Sequence, residues 1–489
     1  MISEKFRRQL RQETEKWWQE GLIDASLYQR LSERYQFSQI ETAASNHFVM
    51  ILLGLGGILL GLGMITFVAA NWQEWPREFR VFLLISLFVG MNATGFYLWR
   101  RPAFKPGLQR LGHGLLLTGA LLLGANIALM SQMFHQSGQV YELYFIWGLG
   151  VVAMAYSLRL TSLGVLAWIL ICISYGCFWW FRDSFAPDTA WISFLLGNMA
   201  LVVSLIFVPL AHWLRSRVMF GLAGIGFASF FVFRLISLSN RHDLDAGWLA
   251  AIAFTLPPAL LWAYDKDIWQ FSRQSYRRAP SATIVPAAVD PFQPVARSLA
   301  VWFFSIVFYI YSFHWLWEVS NDYSNGGMGL GEAWHYLDVG FFIILTGLGW
   351  LRLSYWLRHL SLFQEKSLNN GAIACFILIT ATLFGWRASL HELTVTGPFL
   401  INLMLFLLAI ALLRDGLALG ARRTFWGGMV LLVLGIVSRI FEYNTDLLLK
   451  SLVLILCGVS VITAGLWFER RHKPATPPTP TNLSQEKTS

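Results

Sequence analysis

Arg234, Arg387 and Arg439 each lie within a few residues of the end of a long apolar run. A guanidinium there keeps its charge and can grip a phosphate or carboxylate through two parallel hydrogen bonds. Carboxylates stand nearby in the sequence. Glu392 follows Arg387 by five residues and Glu442 follows Arg439 by three. Asp446 and Lys450 are four apart at the start of the last apolar run, the spacing at which charges on one helix face meet. Two readings fit. Either the three arginines converge on one outward-facing pocket for an anionic lipid or lipid-linked headgroup, or each snorkels to a membrane edge and makes local ion pairs. A charge at the bilayer centre costs about 2.5–3.5 kcal/mol on insertion scales, so none is expected there unpaired.

A second polar stretch, Ser131 to Glu142 (SQMFHQSGQVYE), holds no Lys or Arg. His135, Gln139, Tyr141 and Glu142 carry the donors and acceptors that a sugar or lipid headgroup would use. The same side chains also suit the capping of two flanking helices. His314, Glu332 and His335 have ligand chemistry, but their spacing matches no recognised metal site, and no metal is expected. HExxH, GxSxG, a Walker lysine and the kinase signatures are all missing from the sequence. Glu74, Glu142, Glu392, Glu442, His135 and His391 remain as acid–base groups, and nothing in their spacing singles out a pair. No catalytic residue and no cofactor is assigned.

The elements that would position these side chains are membrane spans. Only 13% of the 489 residues are charged while 56% are hydrophobic, and the mean hydropathy is +0.53. Soluble proteins carry about 25% charge, and a water-facing surface cannot be built with half that share. Apolar runs of membrane length fall at 48–70, 81–99, 111–130, 143–158, 163–181, 190–210, 218–238, 247–264, 298–320, 337–355, 370–390, 398–413, 424–440 and 447–468. The fold class is therefore all-α: a polytopic transmembrane helix bundle of about 14 spans, or 12 if the short runs 143–158 and 398–413 do not cross. About eight spans form a first block (48–264) and about six a second (298–468), divided by a proline-bearing cytoplasmic linker at 265–297. A Pro/Thr-rich tail (469–489) is expected to be disordered.

Charge placement sets the expected orientation. Twenty-nine of the 37 Lys and Arg fall in alternate segments, whereas the intervening loops hold only Arg77, Arg80, Arg182 and Arg241. The positive-inside rule then places both termini in the cytoplasm of a multi-pass protein of the cell (inner) membrane. The net charge of +9 is thus a topology signal, and nucleic acid is not an expected partner. Cys172, Cys177, Cys375 and Cys457 all lie in apolar runs and read as packing residues. No apolar segment precedes about residue 48, so the first span is expected to act as an uncleaved start signal.

Two features shape the spans themselves. The first run has Gly54, Gly56, Gly57, Gly61 and Gly63, with a Gly57–Gly61 GxxxG pair suited to close helix packing. Pro257 and Pro258 are expected to break or kink the run at 247–264. Ahead of the spans, residues 1–47 form a small helical hairpin. Gly21 is placed to end its first helix, Asp24 or Ser26 to cap its second, and Trp17, Trp18, Leu22 and Ile23 to share an apolar patch. That patch either docks a cytoplasmic partner or a second copy through residues 1–40, or lies on anionic lipid of the inner leaflet.

The stretches EKWWQEGLIDASLYQRLSERY, AANWQEWP and GQVYELYFIWGL resemble the DUF2157 family of predicted bacterial membrane proteins, as does the C-terminal SRIFEYNTDLLLKSLVLILCGVSVITAGLWFERR. The likeness is clearest over 15–160 and 430–472. It implies the membrane architecture and supplies no catalytic residues. Two function classes follow: a transporter-like or lipid-linked-substrate-binding bundle with membrane lipid as a partner, or a structural or signalling component that recruits a partner through its hairpin.

Overall fold

Inside a bilayer every backbone N–H and C=O must find its partner within the protein, so an apolar chain of this kind has helices as its ready solution. The computed structural model describes residues 4–35, 70–100, 106–136, 138–181, 190–239, 246–264, 291–318, 337–357, 365–389, 393–443 and 446–471. Among these the regular structure is helical throughout, without strands. The helices are α1 (Glu4–Gln19), α2 (Ala25–Tyr35), α3 (Arg77–Arg100), α4 (Pro106–Met133), α5 (Val140–Leu158), α6 (Thr161–Phe181), α7 (Ala190–Gly197), α8 (Met199–Leu214) and α9 (Arg217–Ser239). They continue with α10 (Ala246–Trp262), α11 (Gln293–Tyr311), α12 (Trp315–Glu318), α13 (Leu337–Leu357), α14 (Glu365–Ser389), α15 (Thr396–Leu419), α16 (Arg422–Glu442) and α17 (Leu447–Arg471).

Ten of the described helices are long and apolar enough to cross a membrane, and Met199–Leu214 and Trp248–Trp262 are shorter apolar helices. The runs 143–158 and 398–413, which look short in the sequence, belong to helices of 19 and 24 residues. At 1.5 Å per residue both reach across about 28 Å or more. The run 48–70 with its glycines lies outside the described residues.

Three spans differ from expectation. Pro257 and Pro258 do not break α10, which runs continuously through them. Each proline removes one helical hydrogen bond but keeps a helical φ, and the segment around them is buried. The run 190–210 is instead interrupted at Asn198, between α7 and α8. There both the Asn198 backbone N–H and its Nδ2 donate to the Phe194 carbonyl, so side chain and backbone share one acceptor. The run 298–320 begins earlier, at Gln293, where Pro294 fits the first turn, and stops at Tyr311.

The chain forms two compact units. The first comprises Met1–Leu115 with Gln132–Phe134. In its hairpin, Gly21 (φ +73°) ends α1, with the Leu22 N–H donating to the Trp17 carbonyl, and Asp24 Oδ1 accepts from the Ala25 N–H at the start of α2. Trp18 stacks on Tyr28 at 5.2 Å, while Trp17, Trp18, Leu22 and Leu27 keep substantial exposure. Ahead of α3, Arg80 donates to the Gln73 and Trp75 carbonyls and holds that turn.

The second unit comprises Leu116–Ser131 with His135–Ser489, so helices on both sides of 265–290 share one body. α10 is its hub, packed against α9, α11, α13 and α14. Contacts fix which helix ends lie together. At one end, His212 of α8, Phe220 of α9, Tyr264 after α10 and Phe292 before α11 form one aromatic group. His212 Nδ1 donates to the Val208 carbonyl, which leaves Nε2 to meet the Tyr264 hydroxyl at 2.7 Å. Trp262 Nε1 donates to Asn370 Oδ1 of α14 at the same end. At the opposite end lie Ser312, just after α11, and Arg387, Asn402 and Arg439, from α14, α15 and α16. Successive helices therefore alternate in direction from α8 to α11 and across α14 to α16. The Ser312 end carries loops that the charge pattern is expected to place outside.

Candidate functional site

The site grows from a missing hydrogen bond. Because α11 stops at Tyr311, the Ser312 carbonyl has no helical N–H four residues on. Arg439 Nη1 and Asn402 Nδ2 donate to it instead, using both lone pairs. Arg439 Nη2 also donates to Ser312 Oγ at 3.1 Å, and the guanidinium lies 4.5 Å over the Phe313 ring. Glu442, one turn beyond Arg439 on α16, pairs with Arg439 Nη1, and its Oε1 accepts from the His314 backbone N–H. Nδ2 of Asn402 reaches the Pro398 carbonyl as well, at 2.8 Å.

Arg387 of α14 meets the same interruption from another side. Its Nη2 donates to the Leu316 carbonyl at 2.9 Å, and its guanidinium lies 4.9 Å over the Trp317 ring. Trp317 is buried, donates to the Tyr311 carbonyl and stacks on Phe384. Gly397 makes room for it: a Cβ there would stand 2.4 Å from the indole. His314 Nε2 lies 3.3 Å from Glu318, one turn along. Two arginines from separate helices thus hold the two ends of the segment 312–317, Arg439 at Ser312 and Phe313 and Arg387 at Leu316 and Trp317. Arg439 Nε is buried without a hydrogen-bond partner, as is Asn402 Oδ1. Arg387 engages one carbonyl with one of its N–H groups.

Arg234 is placed differently. Its Nε lies 3.2 Å from Asp338 Oδ2, and both side chains are buried. Nη1 of the same arginine passes beside Gly197, at the α7–α8 interruption. The structure therefore brings Arg387 and Arg439 onto one segment and gives Arg234 a carboxylate of its own. Lys450 lies 5.9 Å over the Phe441 ring, and among the described residues it makes no ion pair with Asp446. Glu392, His391, Glu332 and His335 lie outside the described residues.

In the other polar stretch, His135 (φ 51°) takes the left-handed position that ends α4, with the Gln136 N–H donating to the Ser131 carbonyl. Gln139 occupies the N-cap of α5, where its side chain makes no capping bond, while its carbonyl accepts from the Glu142 N–H. Tyr141 is buried against Phe178, and Ser174 donates to its carbonyl. Glu142 is half-buried one turn into α5.

Sequence reasoning missed Ser312, Asn402, Trp317, Asn198 and Asp338. Asp338 alone left a usable signal, a carboxylate at the head of an apolar run. The others act through a carbonyl, a ring face or a helix break, which spacing does not reveal. No curated protein and no solved structure is detectably similar to the chain. Residues 15–164 match the model of the DUF2157 family, described as predicted membrane protein; the C-terminal stretch that resembles the family lies beyond that match. With ten described helices of membrane-crossing length and composition, the chain is a multi-pass membrane protein, and over residues 15–164 it is similar to the DUF2157 family of predicted membrane proteins.

Proposed function

We propose that the protein is a transporter-like or lipid-linked-substrate-binding bundle of the cell (inner) membrane, with both termini cytoplasmic, that holds an anionic headgroup at its Ser312 end. The observation that carries this reading is the meeting of Arg387 and Arg439 on residues 312–317. Arg439 is committed to the fold through Ser312 and Glu442. Arg387, only half-buried, keeps most of its fork for a ligand. Interrupted membrane helices are a recurring setting for substrate groups, because they bring polar backbone into an apolar body.

The test is lipid retention. The full-length protein, purified from membranes containing phosphatidylglycerol, should carry that lipid in native mass spectrometry. Arg387→Gln should reduce occupancy about tenfold, since a charge-assisted hydrogen bond contributes about 1.5–3 kcal/mol. Unchanged occupancy in a folded Arg387→Gln protein refutes the assignment.

A second reading has its own support in the exposed Trp17, Trp18, Leu22 and Leu27 of the hairpin. On it, the protein is a structural or signalling component, and residues 1–40 recruit a cytoplasmic partner or a second copy.

A further inference from the structure

Two tight turns at the His212 end are built alike. α5 ends at Leu158 and α6 begins at Thr161; α8 ends at Leu214 and α9 begins at Arg217. Each turn opens on an arginine in the left-handed region, Arg159 (φ 55°) and Arg215 (φ 51°), whose backbone N–H caps the helix before it. Closure requires that backbone, and glycine supplies it without strain. Both positions carry a guanidinium instead.

The two turns are neighbours. Tyr156 of α5 donates its hydroxyl to the Ile206 carbonyl of α8, and Trp213 Nε1 donates to the Tyr156 carbonyl at 3.1 Å. That bond fixes the indole, and Arg159 lies 4.2 Å over its ring. Stacking uses the flat face of the guanidinium and leaves its in-plane N–H groups to donate. Arg215 follows Trp213 by two residues and Arg217 by four, and all three arginines are exposed. Trp213 and Val218 are exposed beside them. No carboxylate balances this charge. The sequence holds no Asp or Glu between Glu142 and Asp183, or between Asp188 and Asp243. Among the described residues none of the three arginines makes an ion pair.

We propose that Arg159, Arg215 and Arg217, with Trp213, bind the headgroup of a two-phosphate phospholipid of the cardiolipin type. The site lies at the opposite end from Arg387, shares no residue with the site there and goes beyond it. Three positive charges on two adjoining turns exceed what one phosphodiester neutralises, whereas two linked phosphates can engage both turns at once. The guanidinium fork suits each phosphate. A lipid is favoured over a soluble anion because the cations close apolar helices, at the level where headgroups lie. There the exposed indole and Val218 offer apolar surface to the glycerol and the first acyl carbons.

The test titrates tetraoleoyl cardiolipin into the delipidated full-length protein in detergent and counts bound lipid by native mass spectrometry. The wild type should bind cardiolipin more tightly than dioleoyl phosphatidylglycerol at matched phosphate. Arg159→Gly and Arg215→Gly should each weaken cardiolipin binding about tenfold, the loss of a charge-assisted hydrogen bond. Glycine keeps the left-handed caps, so both variants should unfold no earlier than the wild type, which separates lipid loss from misfolding. Arg470→Gln/Arg471→Gln removes as much charge as the double glycine variant and should leave cardiolipin binding unchanged. Wild-type affinity in the folded glycine variants, or an equal loss in the Arg470→Gln/Arg471→Gln protein, overturns the proposal. Displacement of the lipid by inorganic pyrophosphate overturns it too, by assigning the cations to a soluble anion. Arg387→Gln should leave cardiolipin binding unchanged, and the glycine variants should leave phosphatidylglycerol retention unchanged, so the two sites fail separately.

Discussion

Replacing Arg439 by methionine tests how the Ser312 interruption is held. The substitution removes the donors to the Ser312 carbonyl and hydroxyl and strands Glu442, whose side chain is 12% exposed. With so little solvent at the pair, screening does little, and loss of one partner of a buried ion pair costs about 3–5 kcal/mol. Asn402 still serves the Ser312 carbonyl, which argues for the lower part of that range. Most of the loss should come from the stranded carboxylate. Glu442→Gln removes that charge yet keeps an oxygen for the His314 N–H, so Arg439→Met/Glu442→Gln should recover about 2 kcal/mol relative to Arg439→Met. The assay is reversible unfolding of the full-length protein in mixed micelles, followed by tryptophan fluorescence. Strict additivity of the two substitutions, or a loss below about 1 kcal/mol for Arg439→Met, would refute the reasoning, because a pair worth that little behaves as an exposed one.

Two further predictions concern orientation and the hairpin. In a cysteine-free background, cysteines at Asn71, Gly138, Asn325 and Asn444 should react with an impermeant thiol reagent in intact spheroplasts, and cysteines at Gln109, Ser281 and Ser484 should not. Labelling at Ser281 from outside would overturn the orientation beyond α10. Deletion of residues 1–40 should leave the membrane body folded and inserted while abolishing a crosslink to a partner or second copy; an unchanged crosslinking profile would assign the exposed tryptophans to the lipid surface instead.

The helical architecture was legible because the membrane forces it. Apolar length and charge alternation depend on composition along the chain, and they recovered the helices from 77 to 471 with few errors. The errors came where one residue's local chemistry decides. Pro257 and Pro258 look like breakers, yet the helix runs on through them in a buried segment, where packing offsets the lost hydrogen bonds and the ring's crowding of the preceding turn. Asn198 looks unremarkable, yet the helix is interrupted there, where its side chain and backbone share the Phe194 carbonyl. The candidate site was half legible. Arg439 and Glu442 pair at the i, i+3 spacing that suggested it. The carbonyl that gathers Arg439 and Asn402 belongs to Ser312, some ninety or more residues upstream, and carbonyls look alike in every sequence.

The two ends of the second unit use polar groups in different ways. At the His212 end, helices close with backbone caps: Arg159 and Arg215 take left-handed conformations, and the Ser216 N–H returns to the Ala211 carbonyl. Arg159 stacks on Trp213, whose Nε1 donates to the Tyr156 carbonyl. Such closures need no buried carboxylate. At the Ser312 end, by contrast, two helices are interrupted, and buried Arg–carboxylate pairs stand beside both interruptions. A bundle needing only to end its helices has the cheaper solution seen at its other end. On the proposed reading the ionic construction serves a headgroup as well as closure, and the residues divide that role unequally. Arg439, engaged by Ser312 and Glu442, shapes the segment. Arg387, stacked on Trp317 with one carbonyl engaged, is positioned to use it. The Arg439 variants should accordingly lose stability before they lose lipid, and Arg387→Gln should lose lipid while stability holds.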